Sequence, residues 1–245
     1  MRNEALTGYL LHQRPYQEKR ALYYLFSQQH GVVHGIGKKG APLFIPLQLF
    51  ATGKRDLKTF SQINMAQADS AVITAEQVSY QQINGQQQYA ALYLNELLWK
   101  LLPTEDPMPV LWQHYQDSLL ELKQPLSATE LRLSLRRFEN YLFKELGFGL
   151  TLAHDSTLAA IEPECDYRFL PDVGLVPIIA SDHSVNSVLQ AVFSGSEILM
   201  MVQTGITATT LSSWSRLHRH LIDHLLDYKP LQSRLLWQQQ QRYQQ

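Results

Sequence analysis

The apolar pattern of this chain changes its period once, and that change limits the architectures open to it. From residue 6 to about residue 66, short apolar runs are separated by turn signals; beyond about residue 88, apolar residues recur every 3.6 positions. A pattern of period two suits a half-buried strand and one of period 3.6 an amphipathic helix, so the expectation is an α+β protein with its β part first. Strands are predicted near 6–12, 20–28, 32–37, 43–51 and 57–65, with turns at Arg14-Pro15, Gln29-His30-Gly31, Gly40-Ala41-Pro42 and Thr52-Gly53-Lys54. Pro46 marks an edge or a bulge. Five strands in about sixty residues match an OB-fold barrel, which binds single strands through a basic groove and stacked aromatics; the count also fits an SH3-like barrel.

Residues 67–88 are rich in Ala and Gln and read as a linker. The expected organisation is therefore an N-terminal OB-fold β-barrel domain at 1–80, followed by a mainly α-helical domain at 81–245. Helices are predicted near 88–102, 108–123 and 128–146. The third is the clearest, because Ser127-x-x-Glu130 is a capping box, Leu131, Leu135, Phe138, Leu142 and Leu146 form one stripe, and Gly147 ends it. A small β-hairpin insertion is expected near 150–182, pairing Tyr167–Leu170 with Leu175–Ile179. Further helices are expected near 184–193 and 207–227, with a short last one from about 231 after Pro230.

Charge separates the same two parts. The chain's formal net charge is only −1, yet residues 1–80 hold nine Lys and Arg against five Asp and Glu, +4, and the remainder twelve against seventeen, −5. A polyanion is drawn to the first part, which points to nucleic acid there. The N-terminus carries no signal-peptide pattern, and no run approaches the ~18 apolar residues of a membrane span, so a cytoplasmic protein without a membrane partner is expected. Cys165 is the only cysteine, which excludes an internal disulfide or a multi-cysteine zinc site.

The basic residues of the barrel segment fall in clusters: Lys19 with Arg20, Lys38 with Lys39, and Lys54 with Arg55 and Lys58. Cations in turns can reach one phosphate backbone together, and Tyr9, Tyr16, Tyr23, Phe44 and Phe60 are available for base stacking. The plainer alternative is that these charges are solvated and the aromatics are core. Arg132, Arg136 and Arg137 lie off the apolar stripe of the third helix, where they either extend a cationic track or pair with Glu139 and Glu145. Glu96, in a very apolar helix, needs a partner if buried, and Arg136 or Arg137 is the natural choice for a structural ion pair.

Other chemistry is disfavoured. Gly35-Ile36-Gly37-Lys38-Lys39-Gly40 lacks phosphate-loop spacing and any hydroxyl after the lysine, so it reads as a strand ending in a turn. His220 and His224 stand one helical turn apart with Asp227 nearby, but the helix wheel leaves them on a polar margin and no metal is expected. Ser156, His154 and Asp155 lack a nucleophile elbow, and sequence neighbours rarely form a triad. No catalytic residue and no cofactor follow, and the chain reads as a non-enzyme.

Four segments carry a resemblance. Tyr9-Leu-Leu-His-Gln-Arg14-Pro-Tyr-Gln-Glu18, Leu92-Tyr-Leu-Asn-Glu96-Leu-Leu98, Leu135-Arg-Arg-Phe-Glu139 with Leu146-Gly-Phe-Gly149, and Lys229-Pro-Leu-Gln-Ser-Arg234 together resemble, in order and spacing, the RecO family of recombination and repair mediators. The resemblance implies an OB barrel on a helical domain, binding of single- and double-stranded DNA, annealing of complementary strands, and recombinase loading onto strands coated by single-strand-binding protein; Arg14 joins the basic residues as a candidate DNA contact. The partners it implies are RecR, in some members RecF, and the acidic C-terminal tail of single-strand-binding protein. No nucleotide hydrolysis is implied. Two departures stand out. Many members carry a four-cysteine zinc module in the region matching 150–180, where only Cys165 remains. The family's Lys-Gly turn usually opens a longer basic loop, whereas Lys39-Gly40-Ala41 passes at once to Pro42-Leu43-Phe44. An adaptor that mainly binds protein tails, with weak DNA affinity of its own, is the competing reading.

Overall fold

A computed structural model describes residues 1–66, 81–178 and 191–243. Five strands, β1 (Glu4–Gln17), β2 (Arg20–Ser27), β3 (Gly31–Lys38), β4 (Pro46–Thr52) and β5 (Leu57–Met65), close into a barrel in the order β1-β2-β3-β5-β4, with β4 returning to β1. All pairs are antiparallel except β3 with β5. This order is that of an OB fold. Leu6, Leu10, Tyr23, Leu25, Val33, Leu47, Leu49 and Phe60 fill the barrel.

The expected turn at Arg14-Pro15 is absent, because β1 runs on through Pro15 to Gln17. Beyond Tyr9 the strand pairs with β2 alone, and the ladder is irregular between Pro15 and Gln17, so a residue without an N–H is tolerated there. The run Tyr9-Leu10-Leu11 does not alternate because both faces of β1 are covered: Leu10 points into the barrel, while Tyr9 meets Trp112 and Tyr115 at ring distances of 5.3 and 5.4 Å.

Three helices pack with the barrel, α1 (Gly85–Leu101), α2 (Pro109–Leu122) and α6 (Gln232–Tyr243). The first compact unit is Met1–Leu126 with Leu231–Gln245, and Ser127–Pro230 forms the second. The linker predicted at 67–88 lies partly outside the described residues; its last four residues, 85–88, are the first turn of α1.

The second unit holds α3 (Ala128–Glu145), a three-stranded sheet ordered β7-β6-β8, α4 (Gly195–Thr204) and α5 (Leu211–Leu225). The Ser127–Glu130 capping box forms as its sequence predicts. The hairpin of β6 (Asp166–Leu170) and β7 (Gly174–Pro177) is present, and β8 (Ala191–Ser194) adds to its other edge. The helix expected at 184–193 is corrected at its end, since 191–193 are strand; 184–190 lie outside the described residues. The helix that follows instead, α4, was signalled by Ser194-x-x-Glu197, where the Ser194 hydroxyl accepts the Glu197 N–H.

Candidate nucleic-acid interface

The barrel brings together four cations from two pairs that are separate in sequence, Lys19-Arg20 and Lys38-Lys39. Lys19 lies in the two-residue β1–β2 turn, Arg20 opens β2, Lys38 ends β3 and Lys39 follows it. Arg20 and Lys38 are register partners, and the Lys39 amide donates to the Lys19 carbonyl at 3.1 Å. The Lys39 ammonium donates to the Glu18 carbonyl, and the Tyr23 hydroxyl donates to that of Lys38 at 2.6 Å, so the backbone beneath the charges is fixed. All four side chains are exposed, and among the described residues none has a carboxylate partner. Four like charges on paired strand ends repel one another unless an anion lies across them.

Lys54 and Arg55, also exposed, do not join this cluster. The first residue of β5, Leu57, pairs with His34, four residues before Lys38, so the β4–β5 turn lies toward the other end of β3, on the order of 13 Å away along the strand. Lys58 belongs to neither group. It is 4% exposed, ion-paired with Glu105 at 2.5 Å and donating to the Arg55 carbonyl at 2.6 Å, which removes it from the expected phosphate contacts.

Arg14 marks a third feature. Its guanidinium stands over Tyr24 and Trp99, 5.8 and 5.7 Å from their ring centres. Beneath it, His12 stacks on Trp99 at 4.9 Å and 12°, and Tyr24 meets His34 edge-on at 4.5 Å. His12, Tyr24 and His34 lie on the outer face of β1, β2 and β3, and Trp99 of α1 lies against them. Burial lowers the pKa of both imidazoles, reinforced at His12 by Arg14 and opposed at His34 by Asp56 and Glu105, so these rings are neutral near pH 7.

The aromatics singled out from the sequence fare otherwise. Tyr9, Tyr23, Phe44 and Phe60 are core, and Tyr16, 53% exposed, is the one that stands out into solvent. Strand parity separates Tyr23 from Tyr24: the first points inward and the second outward. That signal was available in the sequence once the register was known.

Beside the four-cation cluster, between the β3–β4 loop and β5, runs a groove of about 660 Å³ with Lys38, Lys39 and Pro42 on one side and Phe60 to Met65 on the other.

In the second unit, Arg132 and Arg137 are exposed. Arg136 is not: its side chain is 12% exposed and pairs at 2.5 Å with Glu139, which in turn accepts from His218 at 2.8 Å. The expected Glu96–Arg137 pair does not form. Glu96 pairs with Lys100 one turn along its own helix and accepts from Gln232 and Ser233, because the start of α6 presents amides that have no partner within their own helix.

The remaining polar clusters are engaged structurally. His220 sets its ring against Phe169, His224 faces Asp172 at 3.3 Å, and Asp227 faces Lys229. No three His, Cys, Asp or Glu side chains are placed to hold a metal ion among the described residues. One Asp155 oxygen accepts from the Thr157 N–H and hydroxyl and from the Ala159 N–H, fastening the turn after His154 rather than orienting a histidine. None of the described helices is long and apolar enough to cross a membrane.

A closed barrel in OB strand order, with exposed cations at one end and helices packed with it, puts the first unit in the OB-fold class. The family model described as "Recombination protein O C terminal" matches residues 84–232. The chain is 35% identical over 242 residues to the DNA repair protein RecO of Pseudomonas aeruginosa strain LESB58, covering 95% of this chain and 94% of that one. It is 32% identical to RecO of Stutzerimonas stutzeri strain A1501, with 94% and 92% covered, and 31% identical to RecO of Pseudoalteromonas atlantica strain T6c, with 98% and 96% covered. The chain belongs to the RecO family of DNA repair and recombination proteins.

Proposed function

We propose that this chain is a non-enzymatic mediator that binds single- and double-stranded DNA, anneals complementary strands and helps load recombinase onto strands coated by single-strand-binding protein. The observation that carries the reading is the set of four exposed cations, Lys19, Arg20, Lys38 and Lys39, on the end of an OB barrel, none with a carboxylate partner among the described residues. They hold the phosphates, and Lys54, Arg55 and Arg14 extend the contact along the barrel. Arg132 supplies a cation in the second unit. RecR, the acidic tail of single-strand-binding protein and, in some settings, RecF are the partners that fit family membership, in the cytoplasm where such DNA is met.

Annealing of complementary oligonucleotides, with and without single-strand-binding protein, tests this. The variant Lys19→Glu, Arg20→Glu, Lys38→Glu, Lys39→Glu should anneal at least tenfold more slowly than the wild type. Wild-type affinity for a single strand should fall with salt at a log–log slope of about −3 if four phosphates are neutralised. Equal annealing by the two proteins would reject the assignment. Binding of the acidic tail with no measurable DNA affinity would point to an adaptor instead.

A further inference from the structure

We propose that the groove between the β3–β4 loop and β5 is a subsite for one unstacked base of a single DNA strand, with the adjoining phosphate on Lys38 and Lys39. The proposal rests on the DNA-binding reading and adds to it a place for the base.

The groove's three surfaces differ in chemistry. Ile63, partly exposed, and the small open edges of the core residues Leu47 and Phe60 form an apolar floor, Lys38 and Lys39 stand on one rim, and exposed polar side chains of β5, Ser61 and Gln62, form the far wall. A nucleotide presents a flat apolar face, an anionic phosphate and a hydrogen-bonding base edge, and each has a matching surface here. The volume of about 660 Å³ lies within the ~300–1,000 Å³ usual for small-ligand sites.

The far wall owes its form to a bulge. Phe50 pairs with Ser61 and Gln48 with Asn64, so Leu49 alone faces both Gln62 and Ile63. Inward-facing positions on β5 therefore step from 58 and 60 to 63 rather than 62. The extra residue turns Ile63 onto the floor and leaves Gln62 on the wall. Gln62 has φ +51°, a left-handed conformation that a residue with a side chain adopts at a cost and that glycine adopts freely. A bulge needed only to bend the barrel would be served better by glycine.

The opposite strand is shaped to match. A Cβ added at Gly35 would lie 2.5 Å from the Phe60 ring, and one at Gly37 would lie 2.7 Å from Ile63 Cδ1. The Gly35-Ile36-Gly37 run, which is not a phosphate loop, thus lets two floor residues reach their positions and leads directly to Lys38.

Fluorescence anisotropy with the full chain tests the subsite, using oligo(dT) and an abasic deoxyribose-phosphate oligomer of the same length. The wild type should bind oligo(dT) at least about fivefold more tightly than the abasic oligomer, a modest preference for one seated base. Ser61→Trp, which fills the groove from an exposed position, and Gln62→Gly, which relieves the left-handed residue, should abolish that preference and leave abasic binding unchanged. The melting temperature of Gln62→Gly should equal or exceed that of the wild type, which separates loss of the site from loss of the fold. Lys38→Glu with Lys39→Glu should weaken both probes. Variants at 61 and 62 that keep the preference, or a wild type that shows none, would overturn the subsite while leaving DNA binding intact. A wild type that binds neither probe at low salt would overturn the DNA-binding reading and the subsite with it.

Discussion

Glu96 holds Ser233 by two hydrogen bonds and its neighbour Gln232 by a third: its carboxylate accepts the Ser233 N–H at 2.8 Å, the Ser233 hydroxyl at 2.7 Å and the Gln232 N–H at 2.9 Å. The first two amides of α6, which have no partner within their own helix, are thereby tied to the middle of α1. Tyr89 against Trp237 and Arg234 over Tyr93 continue the same seam. The Leu-Tyr-x-x-Glu-Leu and Lys-Pro-Leu-x-Ser-Arg segments are thus two halves of one junction.

Glu96→Ala should cost about 3 kcal/mol, since it leaves buried donors unmatched and Lys100 without its carboxylate, and Glu96→Gln should cost less, about 1–2 kcal/mol. Burial raises the Glu96 pKa, but the bonds from Ser233, Lys100 and Gln232 outweigh it and the net shift is downward. A lowered carboxyl contributes stability that is complete above the ordinary glutamate range and is lost as pH falls through the folded value. Urea melts between pH 3 and 7 should show a shallower acid limb for Glu96→Gln; identical limbs would reject this role.

Asn95, the neighbouring residue, faces the barrel. Its amide donates to the Leu10 and Leu11 carbonyls, both at 3.1 Å, where the bulge in β1 leaves the ladder open, and its oxygen accepts the Tyr115 hydroxyl at 2.6 Å. Asn95→Asp removes the only donors and places a charge against two carbonyls, so it should destabilise the chain by more than Asn95→Ala, itself about 2–3 kcal/mol. Chemical denaturation ranks the two, and the reverse order would show that the bulge is satisfied otherwise.

Lys58 and Lys38 carry the same charge but should behave oppositely on mutation. Lys58→Ala exposes the loss of the Glu105 pair and should lower the melting temperature by several degrees with oligonucleotide affinity, measured at saturating fold stability, nearly unchanged. Lys38→Ala should weaken binding and leave melting nearly unchanged. A strong affinity loss for Lys58→Ala in the folded state would return it to the interface.

The contrast between those two lysines indicates what the sequence could reveal. The barrel and its helices were legible because alternation, the Ser127–Glu130 box and the positions of glycine and proline are local signals. The pairing of Arg20 with Lys38 was not, since it follows from register between strands, and neither was the burial of Lys58, which depends on Glu105 arriving from beyond the barrel. Trp99 over Arg14 and His12 was hidden for the same reason: a helix residue completes a strand face. The Glu96 partner was misassigned because a helix N-terminus, which carries no charged residue to mark it, competes for a buried carboxylate as effectively as an arginine.

His218 provides a pH test of the second unit. Its imidazole is fully buried between the rings of Phe143 and Trp214, with Nδ1 2.8 Å from a Glu139 oxygen and Arg136 on that carboxylate's other oxygen. A carboxylate held by Arg136 can only accept, so Nδ1 carries the proton and Nε2, buried without a hydrogen-bond partner, carries none. Burial lowers the His218 pKa and Arg136 adds to this, while Glu139 opposes them without prevailing. The folded chain therefore binds fewer protons here than the unfolded chain, and stability falls as pH drops below the ordinary histidine value of ~6.5, by up to ~1.4 kcal/mol per pH unit, until the folded value is reached. His218→Gln should remove that segment of the pH dependence between pH 6.5 and 5, leaving the acid limb of Glu96 in place at lower pH. Melting curves of both proteins across this window, with the His218 ring followed by NMR, decide the matter: a ring that takes up its proton above pH 6.5 would mean that the pair with Glu139 outweighs burial and that the sign is reversed.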